Sequence, residues 1–158
     1  MRIWVAAIGS RPREGFSDLA RMYLDRAAAL LPGSGGKGAR PAIEAPLFRT
    51  EAALWAALER ERSRTAPLIV QLDEHGKQMD SAQFAAWLGR ELDGGRQLIV
   101  LAIGPADGWS SRPPEATRLS LGPMTMAHEL ARVVLCEQLY RAFTILKGHP
   151  YHRGSAHG

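Results

Sequence analysis

The segment Gln-Leu-Ile-Val-Leu-Ala-Ile-Gly, residues 97–104, decides the fold class of this chain. Six successive apolar residues between a polar residue and a glycine are typical of a strand that is buried on both faces of a sheet. Residues 2–8 and 67–72 repeat this pattern, and residues 118–121 predict a shorter last strand. Three or four such strands need helices to cover both of their faces.

Helical patterns separate these strands. Apolar residues recur at steps of three and four over residues 14–31, 50–62, 80–92 and 127–147, and Asp80 with Gln83 resembles a capping box. Residues 33–40 are rich in glycine and predict a loop, residues 41–48 predict a short strand, and residues 73–79 predict a polar loop. The alternation predicts one α/β domain over residues 1–158, with a mostly parallel sheet and helices on both faces.

Composition limits the class of protein. The chain has 158 residues, of which 46% are apolar, and no apolar run reaches the roughly 18 residues of a membrane span. The N-terminus lacks the apolar segment of a secretory signal, so we expect a cytoplasmic protein. A single Cys136 in an apolar segment predicts a buried hydrophobic residue. The net charge of +4 is compatible with a polyanionic partner without requiring one.

Strand ends indicate where a site lies. Ligands of open parallel sheets bind beyond the carboxyl ends of the strands, which here are the loops after Leu72, Ile103 and Leu121. Gly104 lets a ligand approach the backbone, although for this glycine taken alone a simple turn is the better explanation. The sequence has no nucleophile elbow, Walker loop, paired cysteines or His-Glu-x-x-His, so neither hydrolysis nor a metal site is predicted.

The C-terminal segment is rich in groups that carry chemistry. His149, Tyr151, His152 and Arg153 lie just beyond a predicted helix end. Such rings stack on unpaired bases, arginine binds phosphate, and imidazole and phenol transfer protons. A solvated polar tail is the alternative.

The last helical segment has apolar side chains on more than one face. A helix of this kind must be covered on two sides, and we expect a homodimer to provide one of them; burial within one chain is the alternative. The residues concerned are Leu130, Val133, Val134, Leu135, Cys136, Leu139, Tyr140, Phe143 and Leu146.

Several motifs, taken in order, resemble the ribosomal RNA large subunit methyltransferase H family of the SPOUT superfamily. The resemblance spans nearly the whole chain and is most specific from Met124 to Arg153. The matching motifs are Leu72-Asp73 with Gly76-Lys77, Ile103-Gly104 with Asp107-Gly108, Leu119-Ser120-Leu121, Met124-Thr125-Met126-Ala127-His128, Arg132-Val133 with Glu137, Leu139-Tyr140-Arg141-Ala142, and His149-Pro150-Tyr151-His152-Arg153.

The resemblance implies a SPOUT α/β fold with a C-terminal trefoil knot, an obligate homodimer, and methyl transfer from S-adenosylmethionine to N3 of a pseudouridine in 23S ribosomal RNA. Because a sulfonium methyl is already activated, no metal or covalent intermediate is needed. The implied substrate is the RNA within the ribosome. The implied cofactor residues are Leu72, Gly104, Leu121, Gly122, Pro123, Met124, Thr125 and Met126.

The resemblance also suggests roles in RNA handling. His152, Tyr151 and Arg153 are expected near the target base, from either subunit, and His128, Arg132 and His149 are expected to contact RNA. His128 has an alternative role as a hydrogen-bonding brace between backbone segments, and Arg132 has one as the partner of an acid on its own helix. Methylation of another nucleoside and an inactive ribosome-binding module are the alternative functions.

Overall fold

The computed structural model describes residues 1–31, 42–62 and 65–153. Within these ranges all six strands join one parallel sheet in the order β2-β1-β5-β4-β6, and β3 also pairs with β1. The elements are β1 (Arg2–Ile8), α1 (Glu14–Ala29), β2 (Ile43–Glu44), β3 (Leu47–Phe48), α2 (Glu51–Arg60), β4 (Leu68–Gln78), α3 (Ser81–Asp93), β5 (Leu98–Ile103), β6 (Thr117–Ser120) and α4 (His128–Leu146).

The central strand of the sheet is β5, the uniformly apolar segment that predicted the fold class. Every residue of β5 is buried, and β5 lies between β1 and β4. The alternating strands and helices therefore form the predicted α/β architecture. The glycine-rich stretch 33–40 lies outside the described residues.

Helices cover both faces of the sheet. Residues of α1, α3 and α4 share a core with one face, in which Leu88, Leu135 and Phe143 are buried. On the other face α2 contributes Leu54 and Leu58 to a second, smaller core. Among the described residues no helix is long and apolar enough to cross a membrane.

Two helix starts follow from their sequences. The Thr50 hydroxyl accepts a hydrogen bond from the Ala53 amide at 3.1 Å, and α2 begins at Glu51. Asp80 and Gln83 form the predicted capping box: the Asp80 carboxylate accepts from the Gln83 amide, and the Gln83 side chain accepts from the Asp80 amide. Both caps satisfy amides that a helix leaves unpaired at its first turn.

The prediction of a polar loop at residues 73–79 was wrong for most of this segment, because β4 continues to Gln78. Lys77 and Gln78 pair with β6 after an irregularity that begins at Leu72. Gly76 permits this pairing, since a Cβ on it would stand 2.7 Å from the Arg118 carbonyl carbon. The strand predicted at residues 41–48 is two short strands, and the first and last helices are slightly shorter than predicted.

Candidate active site

One pocket of about 740 Å³ is enclosed by the irregular part of β4 that begins at Leu72 and by the segments that follow β5 and β6. This volume is within the range of small-molecule and cofactor sites. The start of α4 closes one side. The lining residues are Leu72, Asp73, Glu74, His75, residues 103–109, Leu121, Gly122, Met124, Thr125, Met126, Ala127, His128 and Ala131.

The pocket combines apolar walls with three carboxylates, those of Asp73, Glu74 and Asp107. The Thr125 hydroxyl donates to Glu74 at 2.9 Å and so connects the segment after β6 to β4. The His75 amide and then Arg118 donate to Asp73 and hold the pKa of that carboxyl below its ordinary value. Asp73 is therefore ionised at neutral pH. The pocket thus has a negative lining that suits a cationic ligand.

Trp109 fills the space beside Gly104. A Cβ on Gly104 would stand 2.8 Å from the indole of Trp109, whose Nε1 donates to the Leu72 carbonyl at 2.9 Å. The indole therefore bridges Leu72 of β4 and Gly104, which follows β5, across the pocket wall. Glycine is required at 104 because of this close approach, which a turn alone would not demand.

The segment carrying Trp109 is anchored to α2 by a single carboxylate. Glu51 accepts four hydrogen bonds of 2.7 to 3.0 Å, from the amides and hydroxyls of Ser110 and Ser111. Burial raises the pKa of Glu51, but these four bonds outweigh it and leave the pKa below its ordinary value. Trp55 stacks on Trp109 at 5.8 Å and donates to the Ser111 hydroxyl. Helix α2, on the far face of the sheet, thus positions one wall of the pocket.

The turn after β6 is shaped by Ser120 and Gly122. The Ser120 hydroxyl accepts from the Gly122 amide at 3.0 Å and donates to the Gly122 carbonyl at 2.9 Å. Gly122 has a φ of +135°, which a residue with a side chain adopts only with strain. This local ring directs residues 121–126 along the pocket.

The C-terminal tail folds back on the second half of α4. The Tyr151 hydroxyl donates to Glu137 at 3.1 Å, Arg141 donates to the same oxygen at 2.7 and 3.1 Å, and Arg141 lies 3.0 Å from His152 Nδ1. The guanidinium also covers the Tyr151 ring at 4.8 Å, and Tyr140 meets that ring edge-on. His149 accepts from the Tyr151 amide, and Arg153 is exposed.

The tail and the pocket are separated along α4. The pocket reaches Ala131, whereas Glu137 and Arg141 lie six and ten residues further on, which is about 9 and 15 Å at the rise of an α-helix. No tail residue that the structure describes lines the pocket of its own protomer.

Comparison with known proteins decides the family. A family model described as "Predicted SPOUT methyltransferase" matches residues 1–152, nearly the whole chain. The ribosomal RNA large subunit methyltransferase H of Koribacter versatilis is 43% identical over 98% of this chain and 99% of its own length. This chain belongs to the ribosomal RNA large subunit methyltransferase H family. The protein of that name from Allorhizobium ampelinum is 42% identical over 97% of this chain and 99% of its own length.

A weaker likeness is found among solved structures. The SpoU methyltransferase AviRb from Streptomyces viridochromogenes, crystallised with the cofactor AdoMet, aligns with 94% of this methyltransferase H family member and 60% of its own chain. The sequence identity is 16% and the TM-score is 0.47.

The structure brings together most of the cofactor residues that the sequence of this methyltransferase H family member predicted. Seven of the eight line the pocket, and Pro123 does not. Sequence reasoning missed Trp109 and the carboxylates of Asp73, Glu74 and Asp107 as lining residues. The carboxylates had a signal, since each follows a predicted strand end closely, although β4 continues through Asp73 and Glu74. Trp109 had none, because its position depends on packing against Gly104.

The RNA residues predicted for the family member are dispersed. His128 lines the pocket, and its Nε2 lies 4.0 Å from the place of a Cβ on Gly9; among the described residues it makes no hydrogen bond that would brace two segments. Arg132 is only 8% exposed, and no described group bonds its Nε. Arg132 pairs with no acid in the described part of the chain, and on the same helix it is Arg141 that pairs with Glu137. His149 lies in the tail.

The apolar surface of α4 is covered largely within the protomer. Val133, Leu135, Leu139 and Phe143 are buried against the sheet and against α1 and α3, so the alternative of burial within one chain accounts for them. Cys136 is fully buried, as predicted, and burial raises its pKa to about 12. Leu130 and Leu146 remain 43% and 42% exposed.

Proposed function

We propose that this chain transfers the methyl group of S-adenosylmethionine to N3 of a pseudouridine in 23S ribosomal RNA. In this proposal it works in the cytoplasm as a homodimer on the assembled ribosome, and one SPOUT domain with a C-terminal trefoil knot spans residues 1–158. The observation that carries the proposal is the pocket beside β4 and beyond the ends of β5 and β6, in a chain whose family relatives are named ribosomal RNA methyltransferases.

The pocket residues fit this cofactor in size and charge. S-adenosylmethionine has a cationic sulfonium and an ammonium group, and Asp73, Glu74 and Asp107 supply the opposite charge. Leu72, Leu121 and Met126 offer apolar walls to the adenine and the methionine chain. Gly104 leaves the space that the Trp109 indole fills, and Gly122 adopts the positive φ of the turn after β6. When bound, the cofactor supplies a methyl group on a positively charged sulfur, which needs no further activation.

The contribution of the protein is therefore alignment and exclusion of water. Leu72, Gly104 and residues 121–126 hold the methyl donor in one orientation, and a base entering from the open side meets it in line. The N3 proton must leave as the new N–C bond forms, so a proton acceptor or a water path at the base is required. The groups that the sequence analysis assigned to the target base lie in the tail, whose described residues do not line the pocket of their own protomer.

The distance between tail and pocket supports a homodimer with shared sites. Within one protomer Tyr151 and His152 are bound to Glu137 and Arg141, about 9 to 15 Å along α4 from the last pocket residue. A second copy that lays its tail beside this pocket supplies His152, Tyr151 and Arg153 to the target base. The exposed Leu130, on the first half of α4, is available to such a copy.

Tyr151 acts here as a hydrogen-bond donor. Burial and the bond to Glu137 raise the pKa of its phenol, so it stays protonated at neutral pH and does not accept the N3 proton. Its one hydroxyl hydrogen is donated to Glu137, so toward the target base its oxygen is suited to accept a hydrogen bond. Arg153, exposed beyond it, is suited to a phosphate.

The direct test is methyl transfer with labelled S-adenosylmethionine to intact ribosomes and to free 23S RNA, followed by nuclease digestion and mass spectrometry. The expected product is 3-methylpseudouridine, formed faster on ribosomes. A different methylated nucleoside would assign the chain to another SPOUT reaction. If the cofactor neither reacts nor raises the melting temperature, the chain is a binding module. A ligand at 100 times its Kd adds about 2.7 kcal/mol to the free energy of unfolding.

A further inference from the structure

A second cavity, of about 510 Å³, lies at the ends of β1 and β3. It is formed by Gly9, Ser10 and Arg11 from one segment and Leu47, Phe48 and Arg49 from the other. The two segments end side by side, because β1 and β3 pair in parallel and the Gly9 amide donates to the Phe48 carbonyl at 2.8 Å. We call this cavity the arginine groove.

The groove is cationic. Arg11 and Arg49 are both exposed, and neither forms an ion pair or a hydrogen bond with an acid among the described residues. The acid nearest to Arg49 in sequence is engaged: Glu51, which follows Arg49 by two residues, is bound to Ser110 and Ser111. Two uncompensated guanidinium groups at one cavity favour an anionic partner with several negative groups.

The floor of the groove is apolar. Leu47 is 42% exposed and Phe48 is half-buried, its ring packed against Trp4. A small anion gains nothing from such a floor. A nucleic-acid strand offers both features that the groove matches, because its phosphates bind arginine forks and its bases or sugars rest on apolar or aromatic side chains.

The groove adjoins the candidate active site. Gly9 belongs to the groove and His128 belongs to the pocket, and a Cβ on Gly9 would stand 4.0 Å from His128 Nε2. A strand with its target base at the pocket therefore continues across Gly9 into the groove without leaving the protein surface. The negative lining of the pocket favours the cationic cofactor, and the positive groove favours the RNA backbone. The two ligands therefore have separate binding places.

We propose that Arg11 and Arg49 bind the phosphate backbone of the substrate RNA next to the target nucleotide, with Leu47 and Phe48 beneath it. This inference rests on the proposed function, since it names where that substrate is held. Arg11 and Arg49 are binding residues that act on affinity for RNA. They take no part in cofactor binding or in methyl transfer itself.

The test compares the double variant R11Q/R49Q with the control R26Q/R90Q. Arg26 and Arg90 are exposed, lie in the last turns of α1 and α3 and line neither the groove nor the pocket, so the control removes the same charge elsewhere. Methylation of ribosomes from a strain lacking this activity gives KM and kcat. Binding of free 23S RNA at increasing KCl gives the salt slope, and calorimetry gives the Kd for S-adenosylmethionine.

The expected result for R11Q/R49Q is a KM at least about tenfold higher, a salt slope lower by about 1 to 2, an unchanged cofactor Kd and a kcat that recovers at saturating ribosomes. R11K/R49K, which keeps the charge but loses the fork, should keep the salt slope. R26Q/R90Q should match the unmodified chain. If R11Q/R49Q and R26Q/R90Q have equal KM values and equal salt slopes, the proposal that the arginine groove binds RNA is wrong, while the proposal of methyl transfer stands. Absence of transfer or RNA binding by the unmodified chain would overturn the proposed function, and the groove with it.

Discussion

Tyr151 donates its phenolic hydrogen to the Glu137 carboxylate at 3.1 Å, and this bond fixes the C-terminal tail against the second half of α4. Arg141 donates twice to the same oxygen and covers the Tyr151 ring. One carboxylate thus holds both a helix side chain and the tail. Glu137 is a positioning residue if the tail acts at the target base.

Replacing Glu137 with glutamine should release the tail. Loss of charge-assisted bonds to Arg141 costs about 2 kcal/mol of local stability, and Tyr151 loses its anionic acceptor. We expect kcat for ribosome methylation to fall about tenfold or more while the Kd for S-adenosylmethionine is unchanged, and trypsin should cleave after Arg153 or Lys147 more rapidly. Glu59→Gln is the control, since Glu59 lies on α2 across the sheet in an exposed pair with Arg62. Equal activity of both variants would remove the positioning role.

Gly104→Ala should disrupt the pocket wall. The new methyl group would lie 2.8 Å from the Trp109 indole, so the indole must move and lose its bond to the Leu72 carbonyl. Overpacking of this kind costs about 1 to 3 kcal/mol. We expect weaker binding of S-adenosylmethionine by at least about tenfold, measured by calorimetry. Gly15→Ala is the control: nothing lies within 4 Å of its Cβ position in α1, so that helix should be slightly more stable. Unchanged cofactor affinity in Gly104→Ala would show that the ligand does not use this wall.

The Glu51 anchor predicts a pH-dependent stability. The folded pKa of Glu51 lies below its ordinary value, because hydrogen bonds from Ser110 and Ser111 outweigh the effect of burial. The stabilisation is therefore present above the unfolded pKa, about 4.3, and is lost as the pH falls through the folded pKa. Glu51→Gln should lower Tm at pH 7, and the difference in Tm between this variant and the unmodified chain should become smaller as the pH falls below about 4. Thermal melts from pH 7 to 3 measure this. A gap that stays constant with pH would assign the loss to packing alone.

The sequence predicted the sheet and the place of the pocket because both depend on local patterns. Residues 98–103 are uniformly apolar, Asp80 and Gln83 cap a helix, and the loops after Leu72, Ile103 and Leu121 follow from strand direction alone. The strand continuing to Gln78 was missed, since its polar residues pair with β6 through a contact that Gly76 permits and that no local pattern reveals.

The anchors of the pocket depend on contacts between residues far apart in the chain, which explains why they could not be predicted. Glu51 meets Ser110 and Ser111 across 59 or 60 residues, and Trp109 reaches Leu72 across 37. The tail was predicted as a cluster of reactive groups, but its position on Glu137 depends on how the chain turns after α4. A pattern of residue types shows what a segment can do chemically; the fold decides where it does it.

Cys136 should be inert in the folded protein. It is fully buried in the core under α4, and burial raises its pKa to about 12, so the thiolate is scarce at neutral pH. A chromogenic disulfide reagent should react with less than one tenth of the thiol over an hour under native conditions, and with all of it in guanidinium chloride. Fast reaction of the native protein would mean that α4 opens readily.

The separation of tail and pocket predicts complementation between two defective chains. One variant carries Gly104→Ala and has an intact tail; the other ends at Gly148 and has an intact pocket. Each alone should methylate ribosomes poorly. If each site takes its pocket from one subunit and its tail from the other, a mixed dimer has one complete site, and random mixing restores about a quarter of the sites. Co-expression with two different affinity tags, followed by tandem purification, isolates the mixed dimer for assay. A mixed dimer that remains inactive would assign pocket and tail to the same subunit. If the chain ending at Gly148 is itself fully active, the tail has no part in the reaction.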